Sequence, residues 1–522
     1  MPRKTGFFWL AALLGGWAVD FLFWGKTPGI SILLWIAWII VLGIGLGFFE
    51  GIRPSKINIL VVVFAVLAGV VTFIRREPFT LFTACVLAFC YLCLLAFSYI
   101  NGYWILYRIR DYLMAAIRLL ADWFVGALRL RNNQDGNLED NSPKKRGGGT
   151  ILLVILGVLL ALPLLGILGA LLSSADPIFS RKLADLLEIF DIENLPEYLL
   201  RLFYILVLTY FIAGSFVHAF YNKHDKKPDM TRKGFSPFMS WIPVAVILFL
   251  VDLLFTFFVV IQFTYFFGAQ SNITVEGYTY SEYARRGFFE LVSVAVISLF
   301  LVFGLSAITQ RKTRTQQITL TVLNVLLISL VLVMLLSSWQ RLTLYEEAYG
   351  FSRLRTYTTV FIPWLAGLLV AVGVMDILGK MRWFALILVI VITGFVLSLP
   401  LLNVDGFIAG RNIGRAANSE EFDASYLTEL SADAVPVMFE GYYHAELSPS
   451  DRNDLGASLA CMSKKYLPVE KRPWQSFNIP DFIATGLFVA NQEMLSKYSM
   501  SDKDGYWEVN LNGKVISCYS YD

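Results

Sequence analysis

The chain has 522 residues, 57% of them hydrophobic and 16% charged, with a formal net charge of +3. Soluble domains carry roughly 25% charged residues, so a chain built only of soluble domains is excluded, and so small a charge leaves no footprint for nucleic acid. Five cysteines and three histidines (His218, His224, His444) are too few and too scattered for a zinc motif or a disulfide framework.

Apolar runs able to cross a bilayer are expected at 7–24, 29–49, 57–74, 79–99, 150–173, 199–221, 240–267, 287–308, 316–338, 358–379 and 383–401. That makes about eleven transmembrane helices. The first follows Met-Pro-Arg-Lys with no Ala-x-Ala site after it, and reads as an uncleaved helix rather than a leader. Gly43, Gly47 and Gly51, spaced by four in the second span, read as a close-packing face. Cys85, Cys90 and Cys93 fall inside one apolar run as buried thiols. Between spans, 103–131 repeats Arg108, Asp111, Arg118, Asp122 and Arg129 at helical spacing, a charged stripe on an apolar helix suited to the bilayer interface. Residues 131–149, rich in Asn, Asp, Gly and Lys, read as a disordered loop. A short amphipathic helix is expected where Leu183, Leu186, Leu187 and Phe190 recur.

After Leu401 the composition changes. Residues 402–522 hold 17 acids and 10 bases with no spanning run. Helices are expected near 422–441, 450–466 and 479–497, then a β-hairpin over 506–518 turning at Asn512-Gly513. Cys461 and Cys518 are the thiols of this region and a candidate disulfide. The organisation read is a four-span segment (1–99), an amphipathic helix and loop (100–149), a seven-span core (150–401) and a soluble domain (402–522).

Sidedness follows from Lys and Arg. With the N-terminus inside, the inner segments hold 22 of the 43 basic residues and the short outer segments hold 11. Arg75-Arg76 stands against the bias. An odd number of spans then puts the C-terminal domain outside. The fold class read is an all-α polytopic membrane protein with a small extracytoplasmic α+β C-terminal domain, in a bacterial cytoplasmic membrane.

Acids inside the membrane are costly and mark ion paths, proton relays or interhelical pairs. Asp20, Asp252, Glu290 and Asp376 are the candidates. Val19-Asp-Phe-Leu-Phe23 and Val251-Asp-Leu-Leu-Phe255 echo one another as a parallel repeat would. The same acids could instead pair with basic or hydroxyl neighbours and only fix helix packing. Catalytic motifs are missing: Gly373 to Lys380 departs from a phosphate loop in spacing and in Met381, and there is no Gly-x-Ser-x-Gly elbow. No cofactor is expected, and the reading leans away from an enzyme.

Several stretches carry a resemblance: Ser281-Glu-Tyr-Ala-Arg-Arg-Gly-Phe-Phe-Glu-Leu291, Ser174-Ala-Asp-Pro177, Tyr349-Gly-Phe-Ser-Arg-Leu-Arg-Thr-Tyr357, Asn412-Ile-Gly-Arg415, Leu430-Ser-Ala-Asp-Ala-Val-Pro436 and Trp474-Gln-Ser-Phe-Asn478. Together they resemble a family of bacterial polytopic membrane proteins catalogued as a domain of unknown function. The match loosens at Val404 and Gly410. It implies an integral membrane protein and no catalytic residues. Asp176, Glu282, Arg285, Arg286, Arg353, Arg355, Arg411 and Arg415, with Glu290, Glu346 and Glu347, are expected to form an outer layer of both signs, salt-bridged beneath the C-terminal domain. The functions considered are transport of a small solute or lipid, or a non-catalytic envelope or signalling component whose outer domain binds a protein partner.

Overall fold

The computed structural model describes residues 5–132, 161, 165–166, 168–169, 171–188, 195–221, 237–267, 288–418, 420–467, 472–503, 506–511 and 514–518. Most of the 131–149 loop, most of the 150–173 span and the residues Glu282, Arg285 and Arg286 lie outside these. Among the described residues, nine helices are long and apolar enough to cross a membrane, and they coincide with nine expected spans. Asn58–Ile74 is also an apolar helix, but at 17 residues it reaches about 26 Å, short of the ~30 Å hydrocarbon layer. The protein is an all-α polytopic membrane protein with a small α+β C-terminal domain.

Two compact units divide the chain. The first comprises Met1–Val66, Cys90–Gly102 and Leu113–Lys226. It contains α1 (Thr5–Phe23), α2 (Ile30–Glu50), the first part of α3 (Asn58–Ile74), the last part of α4 (Pro78–Ser98), most of α5 (Ile109–Asn132), α6 (Pro177–Glu188) and α7 (Leu195–Tyr221). Helix α1 lies along α7 at small residues, as apolar solvents require of close helix pairs. A Cβ on Gly16 would sit 2.8 Å from the Ile205 carbonyl oxygen. Of the expected glycine face on α2, Gly47 is at a close approach, since a Cβ would come 2.9 Å from the Ile52 carbonyl. Gly51 does a different job: at φ 75° it ends α2 in the left-handed conformation, accepting no Cβ strain.

The expected interfacial helix is α5, preceded by a 3-10 turn at Tyr103–Leu106. Part of its charged stripe faces protein. Asp122 meets His218 Nδ1 on α7 at 2.7 Å, and the Trp123 indole donates to Ser215 Oγ at 2.8 Å. Leu113, Ile117, Leu120 and Phe124 remain exposed along the other side.

The second unit comprises Leu67–Phe89, Tyr103–Tyr112 and Lys227–Asp522. Its bundle is α8 (Trp241–Phe267), α9 (Phe288–Ile308), α10 (Arg314–Tyr349), α11 (Arg353–Ile377) and α12 (Phe384–Leu402). Helix α10 is central, touching α8, α9 and α11, and Leu327, Val331, Leu335 and Leu369 are sealed in the core. At 36 residues it spans about 54 Å, well beyond the 316–338 segment expected. Polar residues past Ser338 mark the end of the hydrocarbon, not the end of the helix, so Glu346 and Glu347 are helical rather than in a loop.

Asn403, at φ 54°, turns the chain from α12 straight into α13 (Val404–Ala417). The remaining helices are α14 (Ala424–Thr428), α15 (Val435–His444), α16 (Pro449–Ser463), α17 (Ile479–Ala490) and α18 (Gln492–Leu495). The expected hairpin is β2 (Tyr506–Leu511) with β3 (Lys514–Cys518). An additional strand, β1 (Met500–Lys503), makes an antiparallel sheet in the order β1-β2-β3. Met500 pairs Val509 and Val509 pairs Ile516, which puts the fully buried Val509 and Ile516 on the core face. This core is continuous with the end of the bundle, since Leu399 belongs to it and Phe79 and Tyr357 pack against it.

Candidate functional site

In the second unit, a belt of ion pairs joins the ends of the apolar helices to the C-terminal domain. It starts at Arg75-Arg76-Glu77, the tight link between α3 and α4. The link's backbone turns its Arg76 and Glu77 N–H groups onto Asp433 Oδ2, at 2.6 and 3.0 Å, and Arg75 lies 3.8 Å from Oδ1. Arg75 Nε also donates to the Pro400 carbonyl at 2.7 Å, satisfying an acceptor near the end of α12. Arg76 approaches Asp481 at 3.7 Å, and Arg472 donates to the same carboxylate at 2.8 Å. Glu77 is buried and caps α4, accepting from the N–H groups of Phe79 (2.9 Å) and Thr80 (2.7 Å), while the Tyr357 hydroxyl donates to it.

The best-formed pair is Arg353 with Asp405. Nε and Nη2 donate to the two carboxylate oxygens at 2.8 and 2.7 Å, and Nη2 also reaches the Glu429 carbonyl at 3.0 Å. Asp405 has no exposed surface and accepts from the Ser431 N–H at 2.7 Å as well. Burial pushes the Asp433 carboxyl up to about 6; the Arg76 N–H and the Arg75 charge oppose that shift, and Asp405 reinforces it.

The other basic residues expected in the layer grip the turn between α10 and α11. Arg355 donates to the Tyr349 (3.4 Å) and Gly350 carbonyls and stacks 4.0 Å over the Tyr345 ring. Arg415 reaches the Ala348 carbonyl at 3.2 Å and pairs with Glu420 at 2.7 Å. Arg411 lies 5.2 Å over Phe407 and 6.0 Å over Phe351. Asn412 holds Phe351 from both sides, accepting from its N–H at 2.7 Å and donating to its carbonyl at 2.9 Å. Glu346 is buried and accepts from Thr359 at 3.2 Å.

Glu347 and Glu290 are exposed. Asp176 is exposed and caps α6, accepting from the Ile178 N–H at 2.8 Å. Glu282, Arg285 and Arg286 lie outside the described residues.

The four intramembrane acids have different surroundings. Asp20 is bound by Arg201 through bonds of 2.9 and 2.6 Å and by the Tyr204 hydroxyl, all within the first unit. Asp376 takes Arg311 at 3.2 Å and Asn324 at 2.8 Å, and both donors also reach Ser306. Glu290 opens α9 at the surface. Asp252, in the middle of α8, is 2% exposed, and among the described residues neither carboxylate oxygen has a hydrogen-bond partner. The two echoed segments thus place one paired acid and one unpaired acid.

Cys461 on α16 and Cys518 on β3 are disulfide-bonded, with Cα atoms 5.0 Å apart. Among the described residues, no group of three or more His, Cys, Asp or Glu side chains is placed to hold a metal ion.

Four of the stretches singled out in the sequence, those at 349–357, 412–415, 430–436 and 474–478, converge here. Tyr349-Gly-Phe351 is gripped by Asn412 and Arg415, Leu430-Ser-Ala-Asp433 closes on Asp405 and on the 75–77 link, and Phe477 packs against Phe73. A family model described as a domain of unknown function, DUF4153, matches residues 62–441. The chain belongs to this family. The matched span includes the 75–77 link and ends inside α15, so the family's extent covers Arg353, Asp405 and Asp433 together. No curated protein and no solved structure matches the chain.

Asp405, Asp481 and Glu77 were not singled out by sequence reasoning, and Asp433 was read only as part of the Leu430–Pro436 stretch. One signal was available. Arg75-Arg76 contradicts the basic bias of the loops, and a pair of arginines on the less basic side needs carboxylates to hold it there.

Proposed function

We propose that the chain moves a small solute or lipid across a bacterial cytoplasmic membrane, or assists a protein that does, with Asp252 as the group that takes up a counter-charge. The observation that supports this is the contrast among the buried acids. Asp20 and Asp376 already have arginine partners, whereas among the described residues Asp252 has none. A carboxylate sealed among helices is expensive unless a proton or a cation joins it. A binding or relay group needs that property, and a packing group does not. The excess of Lys and Arg in the segments assigned to the inner face supports an N-terminus inside and a C-terminal domain outside. The belt is then the salt-bridged outer layer on which that domain rests.

The test compares Asp252→Asn, Asp252→Glu and Asp252→Leu in proteoliposomes carrying a trapped pH dye under an imposed membrane potential. Proton movement should be present in the parent chain, retained by Glu and lost with Asn and Leu. Leu should also raise thermal stability, since an unsatisfied buried polar group costs about 1–3 kcal/mol. Equal proton movement in the parent and Asp252→Asn would defeat the proposal. A second reading, a non-catalytic envelope component whose outer domain meets a protein partner, is favoured by the belt itself, which immobilises the domain instead of leaving it on a tether.

A further inference from the structure

Helix α17 lacks the polar face of a soluble-domain helix. Ala484 and Phe488 enter the domain core, yet Phe482, Ile483 and Val489 are exposed on its other faces. Its one charged residue, Asp481, lies in the first turn, where Asn478 caps the helix and Arg472 neutralises the carboxylate. A helix apolar all round is buried or in lipid, and twelve residues, about 18 Å, are too few to cross a bilayer. Its length and its exposed apolar faces suit the membrane interface.

The surroundings agree. Trp474, 55% exposed, and Phe477 precede the helix, and interfacial aromatics sit at headgroup level. Phe477 packs on Phe73 of α3 at 5.8 Å between ring centroids, so this surface continues the apolar wall of the bundle. Between the helix and the end of α16 lies a cleft of about 710 Å³, with Lys464, Lys465 and Arg472 on its rim. Among the described residues Asp481 is the one carboxylate of that lining, and Arg472 and Arg76 already hold it. Lys465 is exposed, and among the described residues it makes no ion pair. Desolvation and then the charge of Arg76 hold its ammonium below the usual lysine range. Among its described residues the cleft has cationic charge to spare above an apolar floor.

We propose that this cleft binds an anionic phospholipid, the headgroup phosphate at Lys465 and Arg472 and the upper acyl chain against Phe477 and Phe482. The Trp474-Gln-Ser-Phe-Asn478 run then has a division of labour: its aromatics meet lipid and its asparagine starts the helix. The inference does not depend on Asp252 or on transport.

The experiment uses the full chain in nanodiscs, with an environment-sensitive fluorophore on Phe482→Cys after Cys85, Cys90 and Cys93 are changed to Ser. Quenching by brominated phosphatidylglycerol is compared with quenching by brominated phosphatidylcholine. The expected result is preferential quenching by the anionic lipid, reduced about fivefold by Lys465→Gln and restored by Lys465→Arg. Lys465 is exposed, so neither change disturbs the core. Equal quenching by both lipids, or a preference that survives Lys465→Gln, would overturn the anionic site. Quenching by neither would place this surface away from the bilayer and overturn the proposal altogether, as would displacement by millimolar inorganic phosphate.

Discussion

Replacing Arg353 with Met should loosen the C-terminal domain from the bundle end by about a hundredfold in its opening equilibrium. Asp405 is fully buried and accepts from Arg353 at 2.8 and 2.7 Å. Each charge-assisted bond contributes about 1.5–3 kcal/mol, and breaking one side of a buried pair costs about 3–5 kcal/mol because a charge is left uncompensated. Two features favour the lower end: the Ser431 N–H still serves Asp405 at 2.7 Å, and 23% of the Arg353 side chain is exposed, so solvent screens part of the loss. About 3 kcal/mol is a factor of roughly a hundred. Hydrogen exchange of the 402–467 backbone in the full-length chain reads this directly. The double replacement Arg353→Met with Asp405→Leu should recover most of the loss, since apolar groups of similar size can stand in for a buried pair. Exchange in Arg353→Met equal to that of the parent chain would refute the reasoning. So would a double variant as loose as the two single changes added together.

Two further outcomes follow from the same region. Burial raises Asp433 to about 6 in the folded chain, against roughly 3.9 for an unperturbed carboxyl, so the folded state binds the proton more tightly. Its contribution is complete below about pH 4 and is lost as pH rises through about 6, which makes the domain more stable at pH 5 than at pH 7.5, by roughly 1.4 kcal/mol. Thermal unfolding at the two pH values should show that difference in the parent chain and a much smaller one in Asp433→Asn; equal differences in both would rule it out. Replacing Cys461 and Cys518 with Ser opens a loop with a separation of 57 residues and should cost about 4 kcal/mol, seen as a lower denaturant midpoint and reproduced by a reductant. Thiol trapping in intact cells would find the bond formed if the domain faces outward and reduced if it faces the cytoplasm.

Most of the architecture was legible in linear sequence because a bilayer imposes a local rule: about 20 apolar residues in a row form one helix. Nine spans and the two-strand hairpin were found on that rule and on strand alternation. Helix ends were harder, since α10 runs past Ser338 on helical propensity after its hydrophobicity stops. The candidate site was legible only in halves. Arg353, Arg411 and Arg415 could be named from sequence, but Asp405 and Glu420, which pair with Arg353 and Arg415, could not. Arg353 took Asp405, about fifty positions away, and Arg75 and Arg76 took Asp433 and Asp481 from the far end of the chain. Nothing local selects one carboxylate over another, because an ion pair is decided by which backbones a fold brings within about 3 Å. The same holds for the intramembrane acids. Sequence placed Asp20, Asp252 and Asp376 alike in apolar helices, and helix packing alone gave two of them an arginine and left the third without a partner among the described residues.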